Sequence, residues 1–232
     1  MRTMSRAARC TSGADAQRSA SRFFSSIQIS IASDSASSSD VTLQPFHVLF
    51  LFRQPIAPGD ESGGQVTCQG TARRWAELSG LEGAAFDAAL REAVDRYAPD
   101  LVVLAGFMRL LGPAFIDHHS GRLLNIHPSL LPAFPGLRTH ARALAAGATV
   151  HGATVHFVTR ETDAGPIVIQ AAVPVRRGDT PDVLSARVLK EEHRIYPLAI
   201  RWFAEGRLKL AGDRVLLDGA PRADQDLTSA PE

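Results

Sequence analysis

The chain has 232 residues, with 25 lysine and arginine residues against 24 aspartate and glutamate residues. This near-neutral balance argues against a general nucleic-acid-binding protein, which is usually basic. The hydrophobic fraction of 45% is ordinary for a globular protein, and no apolar run approaches the roughly 20 residues that span a bilayer. The two cysteines, Cys10 and Cys68, give no zinc-ligand spacing, so a reducing compartment, the cytoplasm, is the natural expectation.

The first third of the chain differs in composition from the rest. Residues 1–40 are rich in Ser, Ala and Arg, and no acidic residue precedes Asp15. This pattern fits either an organelle transit peptide, which would change the expected compartment, or a disordered leader. We expect residues 1–75 to be an atypical, largely disordered leader in which residues 46–52 (FHVLFLF) form at best a makeshift strand. The domain is expected to span residues 76–218, and a flexible tail to follow at 219–232.

Beyond this leader the hydrophobic pattern alternates between helical and strand spacing. Apolar residues at helical spacing predict a helix over residues 86–97. A short helix is expected at residues 141–146, and a long helix from about Thr180 to Gly206. Apolar runs predict strands at residues 101–105, 122–127, 149–159 and 167–175. Alternating strands and helices predict an α/β fold with an open, mostly parallel sheet and helices on both faces.

Chemistry-bearing residues follow the predicted strands, where ligands bind in open α/β sheets. Asn125 and His127 are two residues apart on one predicted strand, so their side chains project from the same face. An amide and an imidazole side by side can donate two hydrogen bonds to an oxygen that gains negative charge. Asp163 lies in a tight loop, residues 161–166 (ETDAGP), from which a carboxylate could favour the protonated imidazole and relay a proton through water. Each signal is weak alone, and their combination indicates a catalytic group.

This combination resembles the folate-dependent formyltransferases over roughly residues 84–218. The matching segments, in chain order, are residues 125–132 (NIHPSLLP), 134–136 (FPG), 151–159 (HGATVHFVT), 163–166 (DAGP), 192–197 (EHRIYP) and 201–208 (RWFAEGRL). Within that family the HPSLLP and EHRIYP forms are most similar to the phosphoribosylglycinamide formyltransferases. The resemblance implies transfer of a formyl group from 10-formyltetrahydrofolate to glycinamide ribonucleotide in de novo purine biosynthesis.

The resemblance also implies a role for individual residues. Asn125, His127 and Asp163 match the family's catalytic residues, and direct attack of the substrate amine on the formyl carbon is expected. Thr154 and His156 match residues that support the geometry of the site. The folate is a co-substrate and no metal is implied. The expected partners are small molecules, without nucleic acid or membrane, for a monomer or a homodimer.

Two further groups of residues are implied at the ligands. Glu192 matches the residue that contacts the ribose of the substrate, and Pro128 is expected beside the same substrate. Residues 160–165 are expected to close over the pterin, and the peptide bond between Leu131 and Pro132 is a candidate cis bond. The residues expected to contact the folate are Phe107, Met108, Arg109, Leu111, Arg160 and Thr162.

One departure from the family pattern leaves alternatives open. The family begins with a strand and a Gly-x-Gly-Ser-Asn loop that binds the substrate phosphate, and residues 62–65 (SGGQ) are the nearest candidate here. The strand and loop are therefore expected to be missing or replaced, through an upstream reading-frame error or through true divergence. The alternatives are a 10-formyltetrahydrofolate hydrolase, in which HHSFLP is typical where residues 127–132 read HPSLLP, and a non-catalytic folate-binding remnant.

Overall fold

The computed structural model describes residues 48–52, 80–107 and 109–221. The helices in this part of the chain are α1 (Gly83–Asp95), α2 (Pro113–His118), α3 (Thr139–Ala145) and α4 (Pro181–Ala204). The strands are β1 (Val48–Phe52), β2 (Leu101–Ala105), β3 (Leu123–His127), β4 (Val150–Phe157), β5 (Ile167–Pro174), β6 (Leu208–Ala211), β7 (Arg214–Leu217) and β8 (Ala220–Pro221). Among these described helices, none combines the length and apolar character needed to cross a bilayer.

The main sheet contains five strands in the order β1-β2-β3-β4-β5. β2 and β3 pair in parallel, with Val102 opposite Leu123, and α2 lies in the connection between them. The β1–β2, β3–β4 and β4–β5 pairs are antiparallel. The α/β open sheet is confirmed, but among the described strands the expected parallel pairing holds only for β2 and β3. The connection between β4 and β5 is residues 158–166, which is too short for a parallel crossover of about a dozen residues or more.

One face of the sheet is covered by α1 and α2. Val102 and Leu104 of β2 and Leu123 of β3 point to this face, because paired residues of neighbouring strands lie on the same side. The helix residues packed against them are Phe86, Leu90 and Val94 of α1 and Phe115 of α2. This cluster is the part of the hydrophobic core beneath the first half of the sheet.

The opposite face of the sheet is covered by α4. Phe157 of β4 lies opposite Leu124 of β3, and its ring centroid is 6.4 Å from that of Phe203. The buried Tyr196 hydroxyl donates to the carbonyl oxygens of Leu104 and Leu124, at 2.6 and 3.1 Å. Helices therefore cover both faces, as the sequence predicts.

The predicted helices and strands are found close to their expected positions. The helix predicted at residues 86–97 is α1, and the long helix is α4, where the Thr180 hydroxyl oxygen accepts the N–H of Val183. Gly206, with φ of +68°, follows the end of α4 in the left-handed conformation expected of it. The sequence did not reveal α2 or the small antiparallel sheet of β6, β7 and β8. α2 has six residues, which is too short for a helical period to be recognised.

Much of the expected leader lies outside the described residues. Within residues 1–79, the structure describes Val48–Phe52, and this segment is a strand that pairs with β2 over five residue pairs. The candidate phosphate loop at residues 62–65 and the expected tail at residues 222–232 also lie outside the described part.

Candidate active site

Four polar side chains share one face of the sheet at the carboxyl end of β3. Asn125 and His127 are on β3, and the antiparallel register with β4 sets His156 opposite Asn125 and Thr154 opposite His127. His127, Thr154 and His156 are buried, and Asn125 is half-buried. The face that carries Leu104 and Leu123 toward α1 and α2 thus becomes polar at its carboxyl end, where the sequence predicts the catalytic group.

Asp163 completes this group from the loop between β4 and β5. Its Oδ2 lies 3.5 Å from Nδ1 of His127, and its Oδ1 lies 3.8 Å from Nε2 of His156. The same Oδ2 accepts a 2.8 Å hydrogen bond from the N–H of Gly136. Asp163 has a positive φ of +54°, which aspartate tolerates better than most residues. The structure therefore brings together Asn125, His127 and Asp163, as expected from the sequence.

A close backbone approach shapes the loop that carries Asp163. A Cβ atom on Gly165 would lie 1.8 Å from the carbonyl oxygen of Phe157, so only glycine fits at this position without a backbone shift. The N–H of Phe157 donates to the carbonyl of Pro166 at 2.9 Å and closes the base of the loop. These contacts hold Asp163 over the end of β3.

Both ring nitrogens of His127 face oxygen acceptors. Nε2 lies 3.1 Å from the carbonyl oxygen of Phe134, and this contact is a hydrogen bond only when Nε2 carries a proton. Nδ1 faces the carboxylate of Asp163 at 3.5 Å. A neutral imidazole carries one proton, whereas the imidazolium can donate at both nitrogens. These contacts hold the His127 ring between two oxygens, each of which can accept a ring N–H.

His156 fixes the orientation of the Asn125 amide. Nδ1 of His156 lies 3.0 Å from the carbonyl oxygen of Phe157, so Nδ1 carries the proton and Nε2 is the acceptor in the neutral ring. The Nδ2–H of Asn125 donates to this Nε2 at 3.2 Å. Burial lowers the pKa of His156, although the Phe157 carbonyl and Asp163 oppose this shift, so the ring remains neutral. Because the amide is planar, this hydrogen bond to His156 also sets the direction of the second N–H of Asn125.

Buried hydrogen bonds fix the loop that follows His127. The hydroxyl of Thr154 donates to the carbonyl of Ser129 at 2.7 Å and accepts the N–H of Leu131 at 3.0 Å. Gln170 of β5 donates to both the Thr154 hydroxyl and the Leu131 carbonyl, each at 2.8 Å. The Leu131–Pro132 peptide bond is cis, as expected. Gln170 was not identified from the sequence, since a glutamine on a strand has no motif of its own.

A pair of histidines, His140 of α3 and His151 of β4, lies beside this group. Their nearest ring nitrogens are 3.2 Å apart, and the His151 ring makes an edge contact with Phe134. Burial lowers the pKa of both, that of His151 to about 4, and neighbouring histidines lower both further. Both rings are therefore neutral at pH 7. The sequence placed His151 within a family segment but did not indicate this pairing.

Three of the six residues expected at the folate lie around the core of α1 and α2. Phe107 and Leu111 are half-buried against that core. The Arg109 guanidinium is 3.9 Å from the centre of the Phe86 ring and donates to the Leu81 carbonyl. Met108 lies outside the described residues.

The other two expected folate residues lie in the exposed loop before Asp163. Arg160 forms a bidentate ion pair with Asp117 of α2, and both side chains are exposed. Thr162 is exposed beside Asp163. This loop is therefore attached to α2 on one side and to the catalytic group on the other.

The two residues expected at the ribonucleotide lie on different elements. Pro128 is half-buried and directly follows His127. Glu192 is half-buried on α4, one turn before Tyr196, and burial raises its pKa to about 7. Tyr196 reaches the carbonyl of Leu104 near the carboxyl end of β2. No contact in the described residues joins Glu192 to Asn125, so its role stays a prediction.

The chain is similar to formyl transferases of known sequence and structure. The formyl transferase family matches residues 59–200. Phosphoribosylglycinamide formyltransferase of Escherichia coli K12 is 59% identical over 135 residues, which cover 58% of this chain and 64% of that protein. The solved phosphoribosylglycinamide formyltransferase of Coxiella burnetii has a TM-score of 0.62 at 45% identity, covering 72% of this chain and 82% of that one.

A solved formyltetrahydrofolate deformylase is also similar but shares fewer residues. The protein from Pseudomonas syringae has a TM-score of 0.57 at 27% identity, covering 62% of this chain and 52% of that one. The present chain spans less than two thirds of the length of the curated E. coli relative. Since the family match extends over more than half of the chain, the chain belongs to the formyl transferase family.

Proposed function

We propose that this chain transfers the formyl group of 10-formyltetrahydrofolate to the amine of glycinamide ribonucleotide. The observation that carries this proposal is the convergence of Asn125, His127 and Asp163 at the carboxyl end of β3. The 59% identity to the E. coli phosphoribosylglycinamide formyltransferase supports this acceptor. The product is an intermediate of de novo purine biosynthesis.

The carbonyl oxygen of the formyl group binds between Asn125 and His127. As the amine attacks the formyl carbon, this oxygen gains negative charge. The free N–H of Asn125 donates to it, and so does the Nε2–H of His127, which shares this proton between the formyl oxygen and the Phe134 carbonyl. Such donors stabilise a tetrahedral intermediate when they are held in place beforehand. His156 supplies that constraint for Asn125, because its Nε2 accepts the other amide proton at 3.2 Å. No covalent enzyme intermediate is required.

Asp163 serves the proton transfer that accompanies acyl transfer. The amine forms a bond to the formyl carbon and loses one proton, while the bond from that carbon to N10 of the folate breaks and N10 takes up one proton. A water held by the Asp163 carboxylate carries the proton between the two nitrogens. The carboxylate also lies 3.5 Å from His127 and stabilises the imidazolium.

The two substrates approach from opposite sides of the catalytic group. The pterin lies under residues 160–165, which are attached to α2 through the ion pair of Arg160 and Asp117. The ribose lies near Glu192, whose carboxylate accepts hydrogen bonds from the ribose hydroxyl groups. Pro128 lines the substrate side of the loop after His127.

Two rival functions lead to different results in one assay. A hydrolase would use water as the acceptor, and the 27% identity to the deformylase against 45% identity to the C. burnetii transferase favours the transferase. A non-catalytic remnant would bind folate without turnover, and the proximity of His127 and Asp163 favours a working site.

The experiment measures release of tetrahydrofolate from 10-formyltetrahydrofolate by the full chain, with and without glycinamide ribonucleotide. We expect release to depend on the ribonucleotide and formylated amine to appear in equal amount. Equal rates with and without the amine would establish the hydrolase. Folate binding without turnover, in a chain folded by circular dichroism, would establish the remnant.

A further inference from the structure

A second cluster of metal-ligating side chains lies away from the catalytic group. Asp95 ends α1, and His118 and His119 lie at the end of α2. Nε2 of His118 is 2.9 Å from Oδ1 of Asp95, and one ligand atom from each of the three residues lies within 4.8 Å of the other two. This cluster could not be recognised from the sequence, because more than twenty residues separate Asp95 from the histidines.

His119 provides an independent indication that this cluster has a ligand. Its side chain is fully buried, with 0% exposed, and neither ring nitrogen has a hydrogen-bond partner among the described residues. Native proteins normally satisfy buried polar groups, because a buried polar group without a partner reduces stability. The ring contacts Phe115 and His118, with centroids 4.5 and 4.7 Å away. These contacts hold the imidazole beside Asp95 and His118.

The guanidinium of Arg122 lies close enough to His119 for its charge to act on the ring. Arg122 itself donates to the carbonyls of Pro99 and His118, which hold its guanidinium in place. Its positive charge opposes a cation in the cluster, and the Asp95 carboxylate offsets that charge.

We propose that Asp95, His118 and His119 bind one divalent transition-metal ion of the Zn²⁺ class, with water as a fourth ligand. Two imidazoles and a carboxylate are ligands that Zn²⁺ prefers, and Mg²⁺ and Ca²⁺ prefer oxygen ligands alone. Zn²⁺ bonds of about 2.0–2.2 Å require ligand atoms about 3.5 Å apart. The side chains of His118 and Asp95 are 38% and 41% exposed. They can therefore rotate until their ligand atoms and that of His119 have the separation that the ion requires.

This site lies at the amino-terminal ends of β2 and β3, whereas the catalytic group lies at the carboxyl end of β3. Asp95 and His119 precede the first residues of β2 and β3, whereas Asn125 and His127 are at the carboxyl end of β3. The ion would therefore join the ends of α1 and α2 and stabilise the core beneath them. It takes no part in formyl transfer, and the proposal does not depend on the proposed function.

The test is calorimetric titration of the full, metal-free chain with Zn²⁺, with thermal unfolding in the presence and absence of the ion. We expect one Zn²⁺ per chain, a higher Tm with Zn²⁺ and no comparable binding of Mg²⁺. His118→Ala and Asp95→Asn should each weaken binding at least tenfold, because each removes one of three protein ligands. Both positions are exposed, so these variants should fold. Bound Co²⁺ should give the visible absorption of a tetrahedral nitrogen and oxygen site.

His193→Ala is the matched control, since His193 is exposed on α4 and lies apart from the cluster. This variant should bind Zn²⁺ as the parent chain does. His127→Ala tests whether the ion binds the catalytic histidines instead. Unchanged Zn²⁺ affinity in both His118→Ala and Asp95→Asn, or loss of binding in His127→Ala alone, would overturn the proposal.

Discussion

Nδ1 of His127 lies 3.5 Å from Oδ2 of Asp163, and the same oxygen accepts the N–H of Gly136 at 2.8 Å. One carboxylate therefore links the loop after β3 to the loop between β4 and β5. Its side chain is 12% exposed and that of His127 is 8% exposed, so water screens the interaction only weakly. This relationship leads to a prediction that separates catalysis from folding.

Asp163→Asn should abolish most activity while retaining the fold. Asparagine keeps the shape, still accepts the Gly136 N–H and tolerates the φ of +54° at this position. It loses the negative charge that, in the proposed mechanism, stabilises the His127 imidazolium and serves proton transfer. We expect kcat to fall by about 10²–10⁴, the usual contribution of a positioned acid or base, with Tm nearly unchanged.

The matched control for this change is Asp213→Asn. Asp213 is exposed in the turn between β6 and β7, and the same chemical change there should alter neither kcat nor Tm. A loss of activity in Asp163→Asn that is matched by an equal loss of folded protein would refute the catalytic role.

The sequence predicted those parts of the fold that have a repeating hydrophobic pattern. β2 is apolar at all five positions and α1 has a clear helical period, so both were recognised. α2 is too short to show a period, and strand direction is set by tertiary pairing that a single strand does not encode. The antiparallel β3–β4 register therefore had to come from the structure.

The proximity of Asn125, His127 and Asp163 was predictable because these residues lie in an ordered set of family segments. The contacts of the surrounding residues were harder to predict from the sequence. Gln170 of β5 bonds to Thr154 of β4, and His140 of α3 meets His151 of β4. Asp95 and His119 are brought together only by helix packing. These relationships depend on register and packing, which spacing along the chain does not reveal.

Thr154→Val should destabilise the protein through the loop after His127. The two side chains have nearly the same shape, but valine removes the hydroxyl that bonds to Ser129, Leu131 and Gln170. Buried groups left without partners cost about 1–3 kcal/mol, which urea unfolding will measure. Thr149→Val, at an exposed position, should change stability by less than about 0.5 kcal/mol. Equal effects of the two substitutions would contradict this account.

Buried histidines should make the protein sensitive to mild acid. The pKa values of His119 and His151 are lowered from 6.5 to about 4 by burial. The unfolded chain binds protons at these rings near pH 6.5 while the folded chain does not. Their stabilisation is therefore present above pH 6.5 and is lost as the pH falls toward 4. Each ring contributes a slope of up to about 1.4 kcal/mol per pH unit.

His119→Phe tests this acid sensitivity in the presence of a chelator. Phenylalanine keeps the packing against Phe115 but has no titrating group. The free energy of unfolding of this variant should fall less steeply between pH 6.5 and 4 than that of the parent chain, by up to about 1.4 kcal/mol per pH unit. His193→Ala serves as the control and should leave the parent slope unchanged. If the free energy of unfolding of His119→Phe and of the parent depended on pH in the same way, the assignment of acid sensitivity to His119 would be wrong.

Glu192→Gln should change ribonucleotide binding and stability in opposite directions at high pH. Burial raises the pKa of Glu192 from 4.5 to about 7, so the folded chain holds this proton more tightly than the unfolded chain. The stabilisation is present below pH 4.5 and is lost as the pH rises through 7, so the glutamine variant should be more stable at pH 8 by roughly 1–3 kcal/mol.

The ionised carboxylate is also the better acceptor for ribose hydroxyls. The affinity of the parent for glycinamide ribonucleotide should therefore rise relative to that of the variant between pH 6 and 8. The protonation of the ligand itself changes equally in the experiments on the two proteins. The difference in affinity between parent and variant, measured by calorimetry at several pH values, therefore reports on Glu192 alone. Affinity for 10-formyltetrahydrofolate should be the same in both proteins, and a matched loss of folate affinity would show that Glu192 does not contact the ribose.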